Sequence, residues 1–342
     1  MFEKARRGEE QAISVPGAVA SPRPRVAVTS PGPRPIAVAG EAIVDFVLEP
    51  GGGTTPHLGG GSFNAARTLG RLGLRPVFIG RLSTDRYGRA LRTALEASGV
   101  NLDGVVTTDE PTTFARVEVD GNGTASYRFY LEGTSTAGLL PDEARLAMPL
   151  GAVALHVDGL GLAAEPHAIA ISSLVREAGL GTLVFVDLNC HVQAVRGGTA
   201  FRHRLHEVLS LADVVKASEH DLAYLDSDRT PYQTACALLV RGPAAVLLTN
   251  GSLGVRVLAA RREALVEAPC AQVIDTIGAG DAFGAAWLGG WVAEGLGRED
   301  LGDFEAVVRA AEFATEVAAR TCERAGPEPP RGAKVDSEWC LE

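Results

Sequence analysis

Lysine is scarce in this 342-residue chain: among its 32 basic residues only Lys4, Lys216 and Lys334 are lysines, and none of them follows a glycine. A Walker-type P-loop ends in Gly-Lys, so a phosphate site of that kind is excluded. Long apolar runs are also missing. The longest stretch made only of apolar residues and glycine, 282–293, is shorter than the ~18 residues of a membrane span, so we expect no membrane partner.

Excess positive charge and closely spaced cysteines are lacking too. The 42 acidic side chains outnumber the basic ones and give a formal net charge of −10, a poor match for the phosphate backbone of a nucleic acid. The five cysteines are widely spaced and form no CxxC, so neither a disulfide framework nor a zinc site is indicated. These absences predict a cytoplasmic protein with reduced thiols and no nucleic-acid partner.

The two ends of the chain lack hydrophobic periodicity. Residues 1–34 are rich in Pro, Ala, Ser, Gly and Arg, and they contain no apolar segment of the kind found in signal peptides. The last dozen residues, 331–342, are similar in character. We predict a disordered N-terminal tail, a folded domain at 35–330 and a short C-terminal tail.

Between the tails, short apolar runs alternate with amphipathic segments, and this pattern is typical of a parallel α/β sheet covered by helices on both faces. Buried strands are predicted at 36–39, 77–80, 153–157, 183–187, 213–216 and 245–249. Helices are predicted at 64–72, 85–98, 167–178, 199–211, 231–241, 281–294 and 303–322.

One segment breaks this alternation. Residues 114–119 and 126–130 alternate between apolar and polar with period two, and the turn-forming sequence DGNG at 120–123 joins them. We predict a β-hairpin here. It is either a lid over a ligand site or an edge hairpin without a function, and the pattern leaves both open.

The most informative segment is DTIGAGDAF at 275–283. We predict an apolar strand at 271–274 that leads into a glycine turn and then into a helix. The turn would leave unpaired N–H groups at the positive end of the helix dipole, where they can bind an anion. The carboxylate of Asp281 would repel a bound phosphate unless it removes a proton from the hydroxyl that attacks that phosphate. The alternative is that Asp281 only caps the helix.

Further polar groups follow predicted strands. Asp45 comes just after the first strand, where open parallel sheets bind ligands, and Gly59, Gly60 and Asn64 open the next helix. Carboxylate and amide groups suit the hydroxyls of a polyol. The loop TNGSLG at 249–254 follows another strand and could lie against a nucleotide, and Lys216, the one lysine of the predicted domain, ends a further strand. Taken singly, each is compatible with an ordinary structural role.

The order of these motifs resembles the ribokinase-like (PfkB-type) carbohydrate kinase family, and most closely its fructokinase branch. The motifs are GE-x-x-x-D at 40–45, GG-x-x-x-N at 59–64, VVK-x-S-E at 214–219, T-x-G-x-x-G at 249–254 and DTIGAGDAF at 275–283. The resemblance covers about 35–330. It implies a Rossmann-like, mostly parallel sheet with helices on both faces, plus a small β-sheet lid formed by about 46–57 and 110–135.

The resemblance also implies an activity and its residues: ATP-dependent phosphorylation of a hydroxymethyl group of a small sugar such as fructose, with Mg²⁺ and in many members K⁺. The implied base is Asp281, and the implied anion hole consists of Gly278, Ala279 and Gly280. The sugar would be bound by Asp45, Gly59, Gly60 and Asn64. ATP would contact Lys216, Ser218, Thr249, Gly251 and Gly254. Asp275 and Ile277 match positions that bind a monovalent cation.

The chain departs from the family pattern at a few positions. Ser218 and Asp221 replace the Asn and Glu of a metal-associated N-x-x-E motif, and His191 replaces an arginine. Phe63 is bulkier than the usual small residue, so we expect it to reshape the sugar pocket. These changes affect the substrate and the arrangement of Mg²⁺ more than the type of reaction.

Several alternatives stay open at this point. The chain could be another kinase of the family, acting on 2-keto-3-deoxygluconate, ribose or a nucleoside, or a non-catalytic sugar or nucleotide sensor on the same fold. A dehydrogenase is disfavoured because no GxGxxG motif follows a predicted strand. A homodimer formed through the lid is a further expectation from the resemblance.

Overall fold

The computed structural model describes residues 34–48, 52–119, 125–190, 198–259 and 261–332. The two predicted tails fall almost wholly outside these ranges, as do the hairpin turn at 120–123 and position 191. Among the described helices, none combines the length and the apolar character that a membrane crossing requires.

The described elements alternate in the predicted manner. The strands are β1 Ile36–Ala39, β2 Ile43–Leu48, β3 Thr54–Gly59, β4 Val77–Ser83, β5 Val105–Thr108, β6 Phe114–Val119, β7 Ala125–Tyr130, β8 Ala154–Asp158, β9 Leu183–Asp187, β10 Val214–Ser218, β11 Ala245–Thr249, β12 Val255–Ala259 and β13 Arg262–Val266. The helices are α1 Gly61–Arg71, α2 Arg86–Ala97, α3 Pro141–Ala147, α4 His167–Glu177, α5 Gly198–Leu211, α6 Glu219–Leu225, α7 Pro231–Arg241, α8 Ala279–Ala293 and α9 Phe304–Cys322.

The large sheet runs in the order β13-β12-β11-β10-β9-β8-β1-β4-β5. The strands from β11 to β5 are parallel, and β12 and β13 add an antiparallel edge. Parallel strands place their carboxyl ends along one edge of a sheet, so the loops after β9, β10 and β11 lie side by side. The predicted α/β architecture is confirmed.

The two faces of this sheet carry separate hydrophobic cores. In β1, Ile36 and Val38 point into the core formed with α1, α2, α8 and α9, while Ala37 and Ala39 point into the core formed with α4 to α7. Helices on both faces bury every residue of β1, β8 and β9, which explains why the central strands read as largely continuous apolar runs.

A smaller sheet has the order β3-β2-β6-β7, with β2 and β6 parallel to each other. It contains the predicted hairpin as β6 and β7, and its other two strands are β2 and β3. The ring of Phe46 packs edge-on against Tyr87 of α2 and Phe114, with centroids 5.6 Å apart in both pairs. These contacts anchor the small sheet to the larger body.

The prediction of a strand at 271–274 is wrong. The segment is irregular, Val273 and Ile274 are 63% and 68% exposed, and the Ile274 N–H donates to the carbonyl of Cys322 at 2.8 Å. A short apolar run does not distinguish a buried strand from an extended segment at the surface, because both have the same composition.

Asp85 caps α2 and ties it to the residues that lead into β6. Its carboxylate accepts the N–H groups of Tyr87 and Gly88 at 2.9 and 2.8 Å, and both the N–H and the hydroxyl of Thr112, at 2.8 and 2.7 Å. Burial raises the pKa of Asp85, but these donors outweigh burial and bring the pKa to about 2.

We expect Asp85→Ala to lower the free energy of unfolding by about 1–2 kcal/mol, since the variant loses an N-cap and leaves Thr112 without its acceptor. Because the folded pKa lies below the unfolded value of about 4, the ionised carboxylate stabilises the fold at neutral pH. This contribution is lost as the pH falls from about 4 to about 2. Urea unfolding checks the prediction, with the exposed Asp142→Ala as control; equal losses in both variants would contradict it.

Candidate active site

The glycine turn sits at the start of α8. Gly278 precedes the helix with a φ of 76°, and a Cβ placed there would lie 2.5 Å from Cβ of Pro327, so only glycine fits. The Ala279 N–H donates to the carbonyl of Thr276 at 3.2 Å, whereas the N–H groups of Gly278 and Gly280 have no partner in the part of the chain that the structure describes. Two of the three predicted donors are therefore available to an anion at the positive end of a 15-residue helix.

Asp281 is the third residue of α8, and its carboxylate is bound from outside the helix. Oδ2 accepts a hydrogen bond from Nδ2 of Asn64 at 2.9 Å, and Oδ1 lies 3.5 Å from Nδ2 of Asn189. The residue at the N-cap position is Gly278, so the alternative in which Asp281 caps the helix is wrong. The two amides hold the carboxylate between α1 and the loop after β9.

Asp45 was predicted in the loop just after the first strand, and this prediction is wrong. The residue lies inside β2 of the small sheet. The chain turns after Gly40 and enters a second strand, in which Asp45 is paired with His57 of β3 and Ala115 of β6. Its Oδ2 lies only 2.5 Å from the place where a Cβ of Gly59 would be, so the absence of a side chain at Gly59 makes room for the carboxylate.

The carboxylate of Asp45 is short of donors. Its Oδ1 is buried and has no hydrogen-bond partner within the described residues. Burial, and then the negative charge of Asp281, raise the pKa of Asp45 to about 7. A ligand that donates hydroxyl protons would satisfy this oxygen and favour its ionised form.

Asn64 presents a second acceptor of the same kind. It lies in the first turn of α1, the helix that begins directly after the predicted pair Gly59 and Gly60. Its Nδ2 donates a hydrogen bond to the carboxylate of Asp281. Its Oδ1 is buried and, among the described atoms, has no donor. Asp45 and Asn64 thus offer two unmet acceptors next to Asp281, which suits neighbouring hydroxyls of a polyol.

Phe63 of the same segment does not line this site. Its side chain is fully buried in the core formed with α8, and the guanidinium of Arg67 lies 5.4 Å from its ring centre. The expectation that Phe63 reshapes the sugar pocket is therefore wrong, because helical periodicity turns it away from Asn64.

Tyr127 of β7 brings the small sheet to the same place. Burial, and then the charges of Asp45, Asp281 and Asp275, raise the pKa of its phenol to about 12, so Tyr127 is neutral and close to these carboxylates. Its ring stacks on Phe129 with centroids 5.8 Å apart. The period-two pattern predicts the hairpin and puts Tyr127 and Phe129 on one face, but it does not single out Tyr127 as a site residue.

Lys216 is buried beneath the glycine turn rather than exposed. Its ammonium lies 3.0 Å from both carboxylate oxygens of Asp187, and a Cβ on Gly280 would come within 2.9 Å of its Nζ. Burial lowers the pKa of Lys216, but the carboxylates of Asp187, Asp221 and Asp281 outweigh burial and raise it, so the ammonium stays charged. The partner Asp187 ends the neighbouring strand and was missed by sequence analysis.

The remaining predicted nucleotide contacts line the same edge of the large sheet. Ser218 and Thr249 are direct neighbours at the ends of β10 and β11. Gly251 and Gly254 bound the short turn that follows, with φ values of 50° and 89°. A Cβ at Gly254 would lie 2.0 Å from the carbonyl oxygen of Val266, so this glycine is required by the fold.

Ser218 and Asp221, which replace the Asn and Glu of the N-x-x-E motif, together cap the start of α6. The Asp221 carboxylate accepts the N–H and the hydroxyl of Ser218 at 2.8 and 2.6 Å, and also the N–H of Cys190 at 2.8 Å. Within the described residues, no group of three or more His, Cys, Asp or Glu side chains could hold a metal ion by itself. Mg²⁺ commonly binds one or two carboxylates and completes its coordination with phosphates and water, so it does not require such a cluster.

The predicted monovalent-cation residues form a tight loop before α8. The carboxylate of Asp275 accepts the N–H groups of Ile277 at 3.0 Å and Gly326 at 2.9 Å. These bonds tie the start of α8 to the segment after α9. Each carboxylate oxygen keeps a free lone pair, so the loop is compatible with a cation.

Comparisons with known proteins agree with this geometry. Residues 35–331 match the pfkB family of carbohydrate kinases. The chain is 30% identical to a fructokinase of Rhizobium leguminosarum bv. trifolii over 263 residues, which cover 74% of this chain and 78% of the relative. It is 31% identical to a fructokinase of Klebsiella pneumoniae over 266 residues, covering 76% and 85%.

A solved structure gives the same result for the fold. The fructokinase of Xylella fastidiosa with bound ATP superimposes with a TM-score of 0.79 at 26% identity, over 86% of this chain and 94% of that one. The resemblance seen in the sequence and the Rossmann-like fold with its small second sheet are thereby confirmed. The chain belongs to the pfkB family of carbohydrate kinases, enzymes that transfer a phosphoryl group to an alcohol group of a sugar.

Proposed function

We propose that this carbohydrate kinase transfers the γ-phosphoryl group of ATP to a hydroxymethyl group of fructose or a related ketose. The observation that carries the proposal is the pair of buried acceptors without donors, Oδ1 of Asp45 and Oδ1 of Asn64, beside the carboxylate of Asp281. Vicinal sugar hydroxyls would supply the missing donors. The relatives named fructokinase at 30% and 31% identity support a ketose as the substrate.

In the proposed reaction Asp281 is the general base. It takes the proton of the sugar hydroxymethyl group while that oxygen forms a bond to the γ-phosphorus, and the bond to the bridging oxygen breaks to release ADP. The hydrogen bonds from Asn64 and Asn189 keep the carboxylate aimed at the hydroxyl. Asp45, Gly59, Gly60 and Asn64 would hold the sugar.

The developing negative charge on the transferred phosphoryl group would be stabilised by the anion hole. The unpaired N–H groups of Gly278 and Gly280 face it at the start of α8, with Ala279 between them, and the buried ammonium of Lys216 lies just beneath. Mg²⁺ bound to ATP supplies further charge neutralisation. Ser218, Thr249, Gly251 and Gly254 would line the ATP side of the cleft.

The small sheet would act as a lid, formed by about 46–57 and 110–135 as the sequence suggests. The support is Tyr127, whose phenol lies near both Asp45 and Asp281. K⁺ at Asp275 and Ile277, dimerisation through the lid and a cytoplasmic location belong to the same proposal.

A substrate panel tests this function. ADP formation is followed by a coupled assay with ATP and Mg²⁺ and, in turn, fructose, 2-keto-3-deoxygluconate, ribose and a nucleoside. We expect the highest kcat/KM with fructose or another ketose. A higher kcat/KM with ribose or a nucleoside would replace the proposed substrate, and ADP formation that is the same with and without sugar would contradict a sugar kinase.

The pKa of Asp45 leads to a prediction for sugar binding. Because this pKa is raised to about 7, the carboxylate form becomes dominant as the pH rises from 6 to 8. If the ionised form accepts the sugar hydroxyls, KM for the sugar should fall by up to about tenfold across this interval. The Asp45→Asn variant should have a raised KM that no longer changes with pH, and a pH-independent KM in the unaltered enzyme would contradict the role.

A further inference from the structure

Two carboxyl groups lie buried beneath the first turn of α1, and the proposed reaction uses neither of them. Glu41 follows β1 and is 0% exposed; Asp158 ends β8 and is 1% exposed. Two charged carboxylates in contact in such a place would repel each other strongly and without solvent to screen them. Their surroundings therefore have to resolve this repulsion.

The hydrogen bonds around the pair are unequal. Asp158 accepts the hydroxyl of Ser62 at 2.8 Å on one oxygen and the N–H of Gly161 at 3.1 Å on the other. Glu41 accepts the N–H of Ser62 at 3.2 Å on Oε1, while its Oε2 is buried and has no donor among the described residues.

The side chains of Glu41 and Asp158 are within hydrogen-bonding reach of each other, and a hydrogen bond between two carboxyl groups requires a proton on one of them. Asp158 already receives two donors, so the proton fits on Glu41. Burial, and then the charge of Asp158, raise the pKa of Glu41 well above its usual range. Asp281 is the other ionised group that acts on the pair, through its effect on Asp158.

The pair touches the turn that carries the proposed sugar-binding residues. A Cβ on Gly60 would lie 3.2 Å from Cγ of Glu41, and a Cβ on Gly61 would lie 2.6 Å from Oδ2 of Asp158. Two residues beyond Ser62, Asn64 binds both Asp281 and, in our proposal, the sugar. A change of charge in the pair would therefore move this turn relative to Asp281.

We propose that Glu41 is a neutral carboxylic acid in the working enzyme, and that its hydrogen bond to the Asp158 carboxylate positions the start of α1 for the reaction at Asp281. Glu41 is thus a positioning residue. The part of this inference that concerns catalysis rests on the proposed function, whereas the protonation of Glu41 does not.

The protonation is tested without any substrate, by thermal unfolding of the full chain and of Glu41→Gln between pH 4 and pH 9. Glutamine keeps the donor to Asp158 and the acceptor for Ser62 but has no proton to lose. The pKa of Glu41 is higher in the folded state than in the unfolded state. Because of this difference, Glu41 lowers the free energy of unfolding as the pH rises between the two pKa values. We therefore expect the melting temperature of Glu41→Gln minus that of the unaltered protein to become more positive as the pH rises. The exposed Glu177→Gln serves as control.

A difference in melting temperature between Glu41→Gln and the unaltered protein that does not vary with pH, or that falls as the pH rises, would overturn the protonated state. The positioning role is tested by kinetics with the sugar that gives the highest kcat/KM. Glu41→Gln should keep kcat and the sugar KM within about twofold, while Asp158→Asn should raise the sugar KM at least about tenfold and leave KM for ATP unchanged.

Two kinetic results would overturn the positioning role. One is a Glu41→Gln enzyme as impaired as Asp158→Asn, which would mean that a second negative charge is required. The other is an Asp158→Asn enzyme in which both KM values are normal. If no sugar is phosphorylated at all, the proposed function fails, and the melting experiment still decides the protonation of Glu41.

Discussion

Replacing Asp281 by asparagine is expected to lower kcat by about 10²- to 10⁴-fold while the fold and ATP binding survive. Asparagine has the shape of aspartate but no basicity, so the sugar hydroxyl keeps its proton as it approaches the phosphorus. Asparagine retains one of the two side-chain oxygens, so one of the hydrogen bonds from Asn64 and Asn189 keeps its acceptor. Steady-state kinetics and ATP titration by calorimetry measure the two parts of this expectation.

The matched control is Asp142→Asn. Asp142 also lies in the first turn of a helix, α3, but it is exposed and forms an ion pair with Arg145 on the surface. It should leave kcat unchanged. Turnover by Asp281→Asn within about twofold of the unaltered enzyme would remove Asp281 from the role of base.

Replacing Gly278 by alanine should lower kcat by about 10²- to 10³-fold, the size of effect known for the loss of an oxyanion donor. The new Cβ would lie 2.5 Å from Cβ and 3.1 Å from Cα of Pro327, and the backbone of Pro327 cannot yield as a flexible side chain would. The start of α8 must then shift, and the N–H groups of Gly278 and Gly280 shift with it. Steady-state kinetics at saturating ATP and sugar measure the loss.

Gly295→Ala separates this effect from backbone strain. Gly295 follows the other end of α8 with a φ of 81°, close to the 76° of Gly278, but the nearest heavy atom to its Cβ position is the Nη1 of Arg34 at 3.7 Å. Both variants should lose about 1–2 kcal/mol of stability from the left-handed conformation. Only Gly278→Ala should lose turnover, and equal kcat values would contradict the anion hole.

The large sheet could be predicted because its signals are local. The central strands are short apolar runs buried on both faces, and outer helices such as α2 and α9 carry one apolar stripe, so the pattern of a single segment is sufficient. The hairpin of β6 and β7 was predicted for the same reason. The glycine turn before α8 also has a local cause, since its glycines, its helix start and Asp281 lie within a few consecutive residues.

The contacts that complete the site could not be predicted in this way. The pairs Lys216–Asp187 and Glu41–Asp158 join residues far apart in the chain, and nothing in the sequence around one partner identifies the other. Asp45 was assigned to the loop after β1 because a sharp turn at Gly40 into a second strand leaves little trace in composition. Its position in the small sheet became clear only from strand pairing.

The charge pattern of the site follows from the same contacts. The negative charge of Asp281 lies close enough to raise the pKa of three other carboxyl groups, those of Asp45, Asp158 and Asp187. The buried ammonium of Lys216 neutralises Asp187, and the N–H groups of the glycine turn add positive potential on the side where the phosphates would lie. In the proposed site, the backbone N–H groups of the glycine turn and Lys216 would attract the phosphate.

The proposed transfer of the phosphoryl group to a hydroxymethyl group is tested most directly by the position of the new phosphate ester. After turnover of ATP with the sugar that gives the highest kcat/KM, the ³¹P–¹³C couplings of the product identify the carbon that carries the phosphate. We predict a single ester on a hydroxymethyl carbon, formed in equal amount with ADP. An ester on a ring hydroxyl, or ADP without any sugar ester, would contradict the account.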